Sequence, residues 1–477
     1  MTADLRPYPE YQDSGLPWLG KVPSHWQLRR AKYLLREWDR RWDKETGTLL
    51  SVSQYTGVTK RRLREGSDDP DTRASSLFGY KVAEPQNLVV NIMLAWNGSL
   101  GVTPCDGLVS PAYCVYRFRS GNPWFFHHLL RSAVFRAEIK RRSRGVVESR
   151  LRLYTDDLFR IPLPEPPIEE QSAIVRYLDL MDRRINRFIR NRRRLIQLLN
   201  EQKQAIINRA VTRGLDPNVP LKPSGIDWLG DIPQHWRIIP LKFLASRVQN
   251  GATPPTEVER FYESGTIPWY GPSSIRSAAS VYEPIRLLAE SAFTEGKARL
   301  LHGPAILIVV IGATAGRTAL LEGEGATNQQ ITAYELLRDK TIPLFVLEQL
   351  RLAEKHVRAT ASTATIPILD AGFVSRLPVL IPPLTEQEEI LAQLQVETRG
   401  LELAKTKAQR EIDLIREYRT RLIADVVTGK RDVRHLAPLP EAMAAEAGPE
   451  DLDEGLDDEI PGEDEAELAQ EVTDADD

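Results

Sequence analysis

Cysteine is nearly absent: Cys105 and Cys114 are the two thiols in 477 residues. Two thiols build neither a disulfide framework nor a four-ligand zinc site, so a reducing, cytoplasmic setting is expected. Long apolar runs are missing too. The longest aliphatic stretch, Ala305 to Ile311, falls far short of the ~20 residues that a membrane helix requires, and no membrane association is expected. The opening residues MTADLRPYPEYQD contain no basic segment leading into an apolar one, so no export signal is expected there. Catalytic patterning is equally sparse. Gly312-Ala-Thr-Ala-Gly316 follows an apolar run but lacks the lysine and spacing of a phosphate-binding loop, and a close backbone approach at a turn explains it better. No G-x-G-x-x-G opens a helix after a strand. The seven histidines show no metal-ligand spacing, and the adjacent His127 and His128 cannot share a helix face. Asp68-Asp69-Pro70-Asp71 reads as a solvated loop. No catalytic residue, metal or cofactor is assigned to the chain itself.

What is present points to a multidomain binding protein. Apolar residues make up 42% and charged residues 27%, enough for real cores in a chain about three domains long. The net charge of −3 hides an asymmetry: residues 441–477 hold 17 Asp and Glu and no Lys or Arg. The preceding 440 residues carry 63 basic against 49 acidic side chains, about +14. A basic body suits a polyanionic partner. The acidic segment, with few aromatics, is expected to be a disordered extension.

The chain contains itself twice. Gly15-Leu-Pro-Trp-Leu-Gly-Lys-Val-Pro-Ser-His-Trp26 matches Gly225-Ile-Asp-Trp-Leu-Gly-Asp-Ile-Pro-Gln-His-Trp236 at seven of twelve positions. Further on, Ile161-Pro-Leu-Pro-Glu-Pro-Pro-Ile-Glu-Glu-Gln171 corresponds to Leu377-Pro-Val-Leu-Ile-Pro-Pro-Leu-Thr-Glu-Gln387. The segments between these boxes are nearly equal in length and unrelated in sequence, which suggests one scaffold presenting two readers. A His–Trp corner built from His25–Trp26 and from His235–Trp236 is expected to clamp each insert to its helix.

After each Pro-Pro box comes a stretch without proline. Residues 169–213 contain neither Pro nor Gly, and Gly214 is a plausible stop. Ile174, Leu178, Ile185, Leu199 and Ile206 follow three- and four-residue steps, as do Ile390, Leu394, Leu401, Ile415 and Leu422. Arg192 and Gln202 interrupt the first seam; Glu397 and Glu411 interrupt the second. Each helix would be about 60–65 Å long, and two such seams are expected to pack on one another.

The expected fold is mixed α/β (α+β): two globular domains joined by two long antiparallel helices in a pseudo-twofold repeat. The boundaries are 1–160, 161–214 (central helix), 215–376, 377–435 (C-terminal helix) and 436–477 (acidic tail). Strands are expected at 49–53, 88–94, 112–118, 305–311 and 331–336, with helices at 124–140 and 345–357. Candidate nucleic-acid contacts mix amide, hydroxyl, aromatic and basic groups, which hydrogen-bond base edges and phosphates. In the first insert these are Gln54, Tyr55, Thr59, Lys60, Arg61 and Arg62. In the second they are Thr253, Trp269, Ser273, Ser274, Arg276, Arg317, Asn328 and Gln329.

The duplicated Trp-Leu-Gly-x-(Ile/Val)-Pro-x-His-Trp and Pro-Pro-(Ile/Leu)-x-Glu-Gln boxes resemble the specificity subunit of type I restriction–modification systems. Gly251-Ala-Thr253-Pro254, Gly265-Thr-Ile-Pro-Trp269, Ala326-Thr-Asn328-Gln329 and Leu108-Val-Ser110-Pro111-Ala-Tyr113 are similar to that family's target-recognition signatures. The resemblance spans roughly residues 14–435; the acidic tail departs from it. It implies a non-catalytic subunit whose two target-recognition domains each read half of a bipartite, asymmetric site in double-stranded DNA. It also implies helices that set the spacer and dock two adenine-N6 methyltransferase subunits, with a motor-nuclease subunit completing the restriction form. S-adenosylmethionine, ATP and Mg2+ would belong to those partners. A methylation-only system and a protein-interaction scaffold remain as alternatives.

Overall fold

The computed structural model describes residues 5–61, 76–147, 150–276, 280–359 and 367–436. Arg62, the Asp68–Asp71 loop and residues 437–477 lie outside them. The chain divides into two compact units, Met1–Arg192 with Arg410–Asp477, and Arg193–Gln409. The long helices, which the sequence sets apart as segments of their own, are thus each shared between the units. Among the described residues no helix is long and apolar enough to cross a membrane.

The repeated boxes form the frame of each unit. In the first, Gln27–Arg30 pairs antiparallel with Pro162–Glu165, so the residues just after the His–Trp box meet the Pro-rich box. The second unit repeats this with Arg237–Pro240 against Pro378–Ile381. The central helix, Ile168–Arg213, starts directly after Pro167 and carries Glu169 and Glu170 in its first turn, where carboxylates face the positive end of the helix dipole. It stops at Gly214, whose φ of 74° suits a left-handed cap. The C-terminal helix, Leu384–Val427, starts after Pro383 in the same way and runs through Gly400 without breaking.

The two helices run antiparallel. In the first unit Asp182 accepts two hydrogen bonds of 3.0 Å from Arg419, and Arg192 meets Glu411 at 2.8 Å. In the second, Lys203 donates to Glu402 at 2.7 Å. Burial along the seams is uneven. Ile174, Leu178, Ile185, Ile390, Leu394 and Leu422 are buried, whereas Leu199, Ile206, Leu401 and Ile415 are half-buried. Ile207, Val211, Ala408 and Ile412 take the enclosed positions there. A straight α-helix drifts about 20° per heptad against a 3.5-residue repeat, which moves the covered face from Ile206 towards Ile207.

The inserts, unrelated in sequence, share a central sheet. In the first unit the strand order is Leu35–Glu37, Cys114–Phe118, Leu88–Val90, Leu100–Val102; in the second it is Ala245–Asn250, Ile331–Leu336, Ala305–Val309, Thr318–Leu321. In chain order both read first, fourth, second, third, with every neighbouring pair antiparallel. The second unit adds another sheet in which Ile267–Tyr270 runs parallel to Glu324–Thr327. The first instead carries the hairpin Leu50–Ser53/Gly57–Lys60.

Two expected elements are corrected. The strand read over 88–94 ends at Val90, because Asn91 turns the chain by accepting from the Met93 amide at 3.1 Å. The helix read over 124–140 is two helices, Pro123–Arg131 and Ala133–Arg142. Ser132 between them is extended, at φ −64° and ψ 150°, and its hydroxyl donates to the Leu129 carbonyl at 2.7 Å.

Candidate nucleic-acid interface

Each reader domain is held to its frame by a Glu-Gln dipeptide. In the first unit Glu170 is buried and accepts from Tyr8 Oη (2.7 Å) and Trp26 Nε1 (2.9 Å), with His25 Nε2 at 2.8 Å. Next to it, Gln171 donates to the Pro166 carbonyl (2.8 Å) and accepts from the Asn122 amide (2.7 Å). Asn122 caps the helix Pro123–Arg131, accepting from the Trp124 amide. The second unit uses the same parts. Glu386 takes Trp236 Nε1 at 3.0 Å and His235 Nε2 at 2.8 Å. Gln387 donates to Pro382 O and accepts from Thr341 Oγ1 and the Ile342 amide. The His–Trp corner is therefore a clamp in both copies.

In the first unit the candidate contacts lie along the hairpin. Tyr55, Lys60 and Arg61 are exposed, while Gln54 and Thr59 are half-buried. Gln54 borders an open recess of about 300 Å³ with Trp96, Asn97, Arg136 and Lys140, the lysine lying over the Trp96 ring at 5.2 Å. Cation, amide and indole together suit phosphate and base contacts. Behind the turn sits Arg131, whose guanidinium donates to the carbonyls of Ser53, Gln54, Tyr55, Gly98 and Leu100 at 2.8–3.1 Å. Burial, then Arg136 and Arg419, lowers its pKa to about 10, so it stays cationic at neutral pH. One helical turn earlier, His127 Nδ1 accepts from the Val102 amide at 3.1 Å. Burial holds that ring well below its ordinary pKa, and therefore neutral.

In the second unit three separate sequence segments converge. The Ala252 amide donates to Thr327 O at 2.8 Å, Trp269 Nε1 to Ala252 O at 3.1 Å, and the Asn328 amide to Tyr270 O at 3.1 Å. Gly251 is required here, since a Cβ would lie 2.1 Å from Thr327 O. The convergence leaves Thr253 and Gln329 exposed and hydrogen-bonded to each other. Ser273 and Arg276 are exposed nearby in sequence, with the Arg276 guanidinium 3.9 Å from the Tyr282 ring centroid.

Three candidates are buried, with polar groups engaged inside their domain. Trp269 is buried with its indole N–H engaged. Ser274 is buried and its hydroxyl donates to Glu283 O at 2.8 Å. Asn328 is buried, donating to Gln330 Oε1 and accepting from the Gln330 amide. Arg317 is half-buried, with its main chain bonded to Val309 and Thr314. Arg131 is the residue that sequence reasoning missed. Its one signal is the i, i+4 spacing from His127, which places both on one face of a helix. Among the described residues no cluster of His, Cys, Asp and Glu has the grouping of a metal site.

A family model described as "Type I restriction modification DNA specificity domain" matches residues 233–413. The chain is 21% identical over 334 residues to a putative type I restriction enzyme MjaX specificity subunit of Methanocaldococcus jannaschii, covering 69% of this chain and 70% of that protein. It is 21% identical over 284 residues to the MjaVIII specificity subunit of the same organism, covering 58% and 63%. It also shares the fold of a chain in the solved structure "Structural basis underlying complex assembly and conformational transition of the type I R-M system". That likeness has a TM-score of 0.59 and 17% identity, and covers 85% of this chain and 98% of the other.

Proposed function

We propose that this chain is a specificity subunit of a type I restriction–modification system, and that each of its two reader domains recognises one half of a bipartite site in double-stranded DNA. The observation that carries this reading is a repeated frame holding two different surfaces. The Glu-Gln clamps and central sheets match between units. The exposed groups do not: Tyr55, Lys60 and Arg61 in one, Thr253, Arg276 and Gln329 in the other. Like frames with unlike readers call for two unlike half-sites at a fixed separation.

The long helices set that separation in this reading, and dock two copies of an adenine-N6 methyltransferase. S-adenosylmethionine binds those subunits; ATP and Mg2+ serve a motor-nuclease partner. The chain contributes recognition and no catalysis, and it works in the cytoplasm where the DNA is.

A methylation map of the host genome at single-base resolution, with and without the gene, tests this. Loss of a split motif modified at adenines in both halves is the expected result. An unchanged map would remove the proposal. In a second arm, lengthening both helices should alter the spacer and leave each half-site intact.

A further inference from the structure

We propose that Arg131 is the positioning residue of the first reader: it sets the directions in which the hairpin turn presents Gln54 and Tyr55, and so controls discrimination at the first half-site. The inference rests on the DNA-reading role proposed above and goes beyond it, because the Nη groups of Arg131 are engaged by main-chain carbonyls.

The geometry is specific. Ser53, Gln54 and Tyr55 are successive, and all three carbonyls converge on one guanidinium. A pinned carbonyl restrains the planar peptide unit that carries it. Three pinned units in a row therefore restrain the Cα–Cβ directions of Gln54 and Tyr55. The same guanidinium holds Gly98 O and Leu100 O, so the turn is referenced to the central sheet rather than left as a free loop. Arginine suits this because Nη1 and Nη2 present four N–H donors in one plane, shared among the five carbonyls, whereas lysine has three on a rotating ammonium.

The turn is shaped to accept the clamp. Gly57 has a φ of 77°, and a Cβ there would lie 3.1 Å from His127 Cε1 and 3.4 Å from Arg131 Nη1. Gly101 is equally close to His127. Two glycines thus let the hairpin and the neighbouring strand lie flush on one face of the helix Pro123–Arg131. That helix is in turn anchored by Gln171 through Asn122. The pinned turn leaves Tyr55 54% exposed and places Gln54 on the rim of the recess with Trp96, Arg136 and Lys140.

The test uses the full chain assembled with its methyltransferase partners. Methylation rates are measured on the cognate duplex and on duplexes carrying single-base changes in either half. Arg131→Lys keeps the charge and loses the fork. Discrimination in the first half should fall about tenfold or more while that in the second stays within about twofold. Gly57→Ala crowds the turn off its clamp while Arg131 itself is kept, and should produce the same one-sided loss. In the Arg131→Lys/Tyr55→Ala double variant, first-half discrimination should fall by less than the two single losses combined, since Tyr55 is one of the two side chains that Arg131 positions. Equal losses in both halves, additive losses, or unchanged first-half discrimination would overturn the role of Arg131. A wild-type complex that methylates without any bipartite preference would instead overturn the function on which it rests.

Discussion

Arg192 and Glu411 each break the apolar seam of their own helix, and they break it at the same place: the guanidinium Nε and a carboxylate oxygen meet at 2.8 Å. The side chains are about a third exposed, at 35% and 31%. A pair this exposed is worth at most about 1 kcal/mol. Glu411→Leu alone should therefore cost no more than about 1 kcal/mol, and Arg192→Leu/Glu411→Leu should equal or exceed wild type in stability. A double-mutant cycle by chemical denaturation reads both. A double variant less stable than either single one would show that the pair is more than a compensated interruption.

The two clamps are chemically alike but unequally enclosed. The Glu170 side chain is 4% exposed and has a third partner in Tyr8, whereas that of Glu386 is 24% exposed. Replacing a buried carboxylate by an amide turns an N–H donor group towards donors. We expect Glu170→Gln to cost about 2–3 kcal/mol and Glu386→Gln about 1 kcal/mol. Native-state hydrogen exchange around Trp26 and Trp236 resolves the two; equal losses would refute the role given to Tyr8 and burial.

Asp179 on the central helix provides the pH dependence. Burial first, then Asp182, raises its pKa from 3.8 to about 6, with Arg183 opposing. A carboxyl with a raised folded-state pKa favours folding when protonated. Its contribution is fully present below pH 3.8 and is lost as pH rises through about 6. Asp179→Asn should raise stability at pH 7 by roughly 1–2 kcal/mol and flatten the slope between pH 4 and 6. A variant that keeps the wild-type slope would exclude Asp179 as its source.

Exposed and buried candidates in the second unit should separate by phenotype. Arg276→Ala and Gln329→Ala should relax discrimination in the second half-site at a cost of about 1–3 kcal/mol per base contact, with the unfolding midpoint unchanged. Ser274→Ala and Asn328→Ala should lower the midpoint first. Measuring melting and methylation specificity on all four variants decides it. Specificity lost at wild-type stability in Ser274→Ala would restore that residue to the readers.

Much of the frame is legible in the sequence because it depends on local rules. Pro167 and Pro383 start the helices, Gly214 ends one, and the Trp and Pro boxes repeat in residues that must touch each other. The shared central sheet is not legible, since its strands need only be apolar and many sequences satisfy that. The exposure of the candidate groups is partly legible. Tyr55, Lys60, Thr253 and Gln329 stand exposed as chemistry suggests, but Trp269, Ser274 and Asn328 look the same on paper and are buried. Arg131 was hidden for the opposite reason. A cation usually marks solvent or a carboxylate, and nothing in one dimension shows five carbonyls from two distant segments gathering around it.

The strand pair between Gln27–Arg30 and Pro162–Glu165 brings the two ends of residues 31–161 side by side, and the matching pair does so for residues 241–377. Everything between those ends enters and leaves the frame at one ladder, and packs on it through contacts such as Trp18 with Phe135 and Trp236 with Phe345. Crossovers in the flanking coding sequence would exchange a whole reader while leaving the helix pair untouched. A new target specificity then requires one recombination within a cassette, rather than a series of point changes that must each preserve a fold.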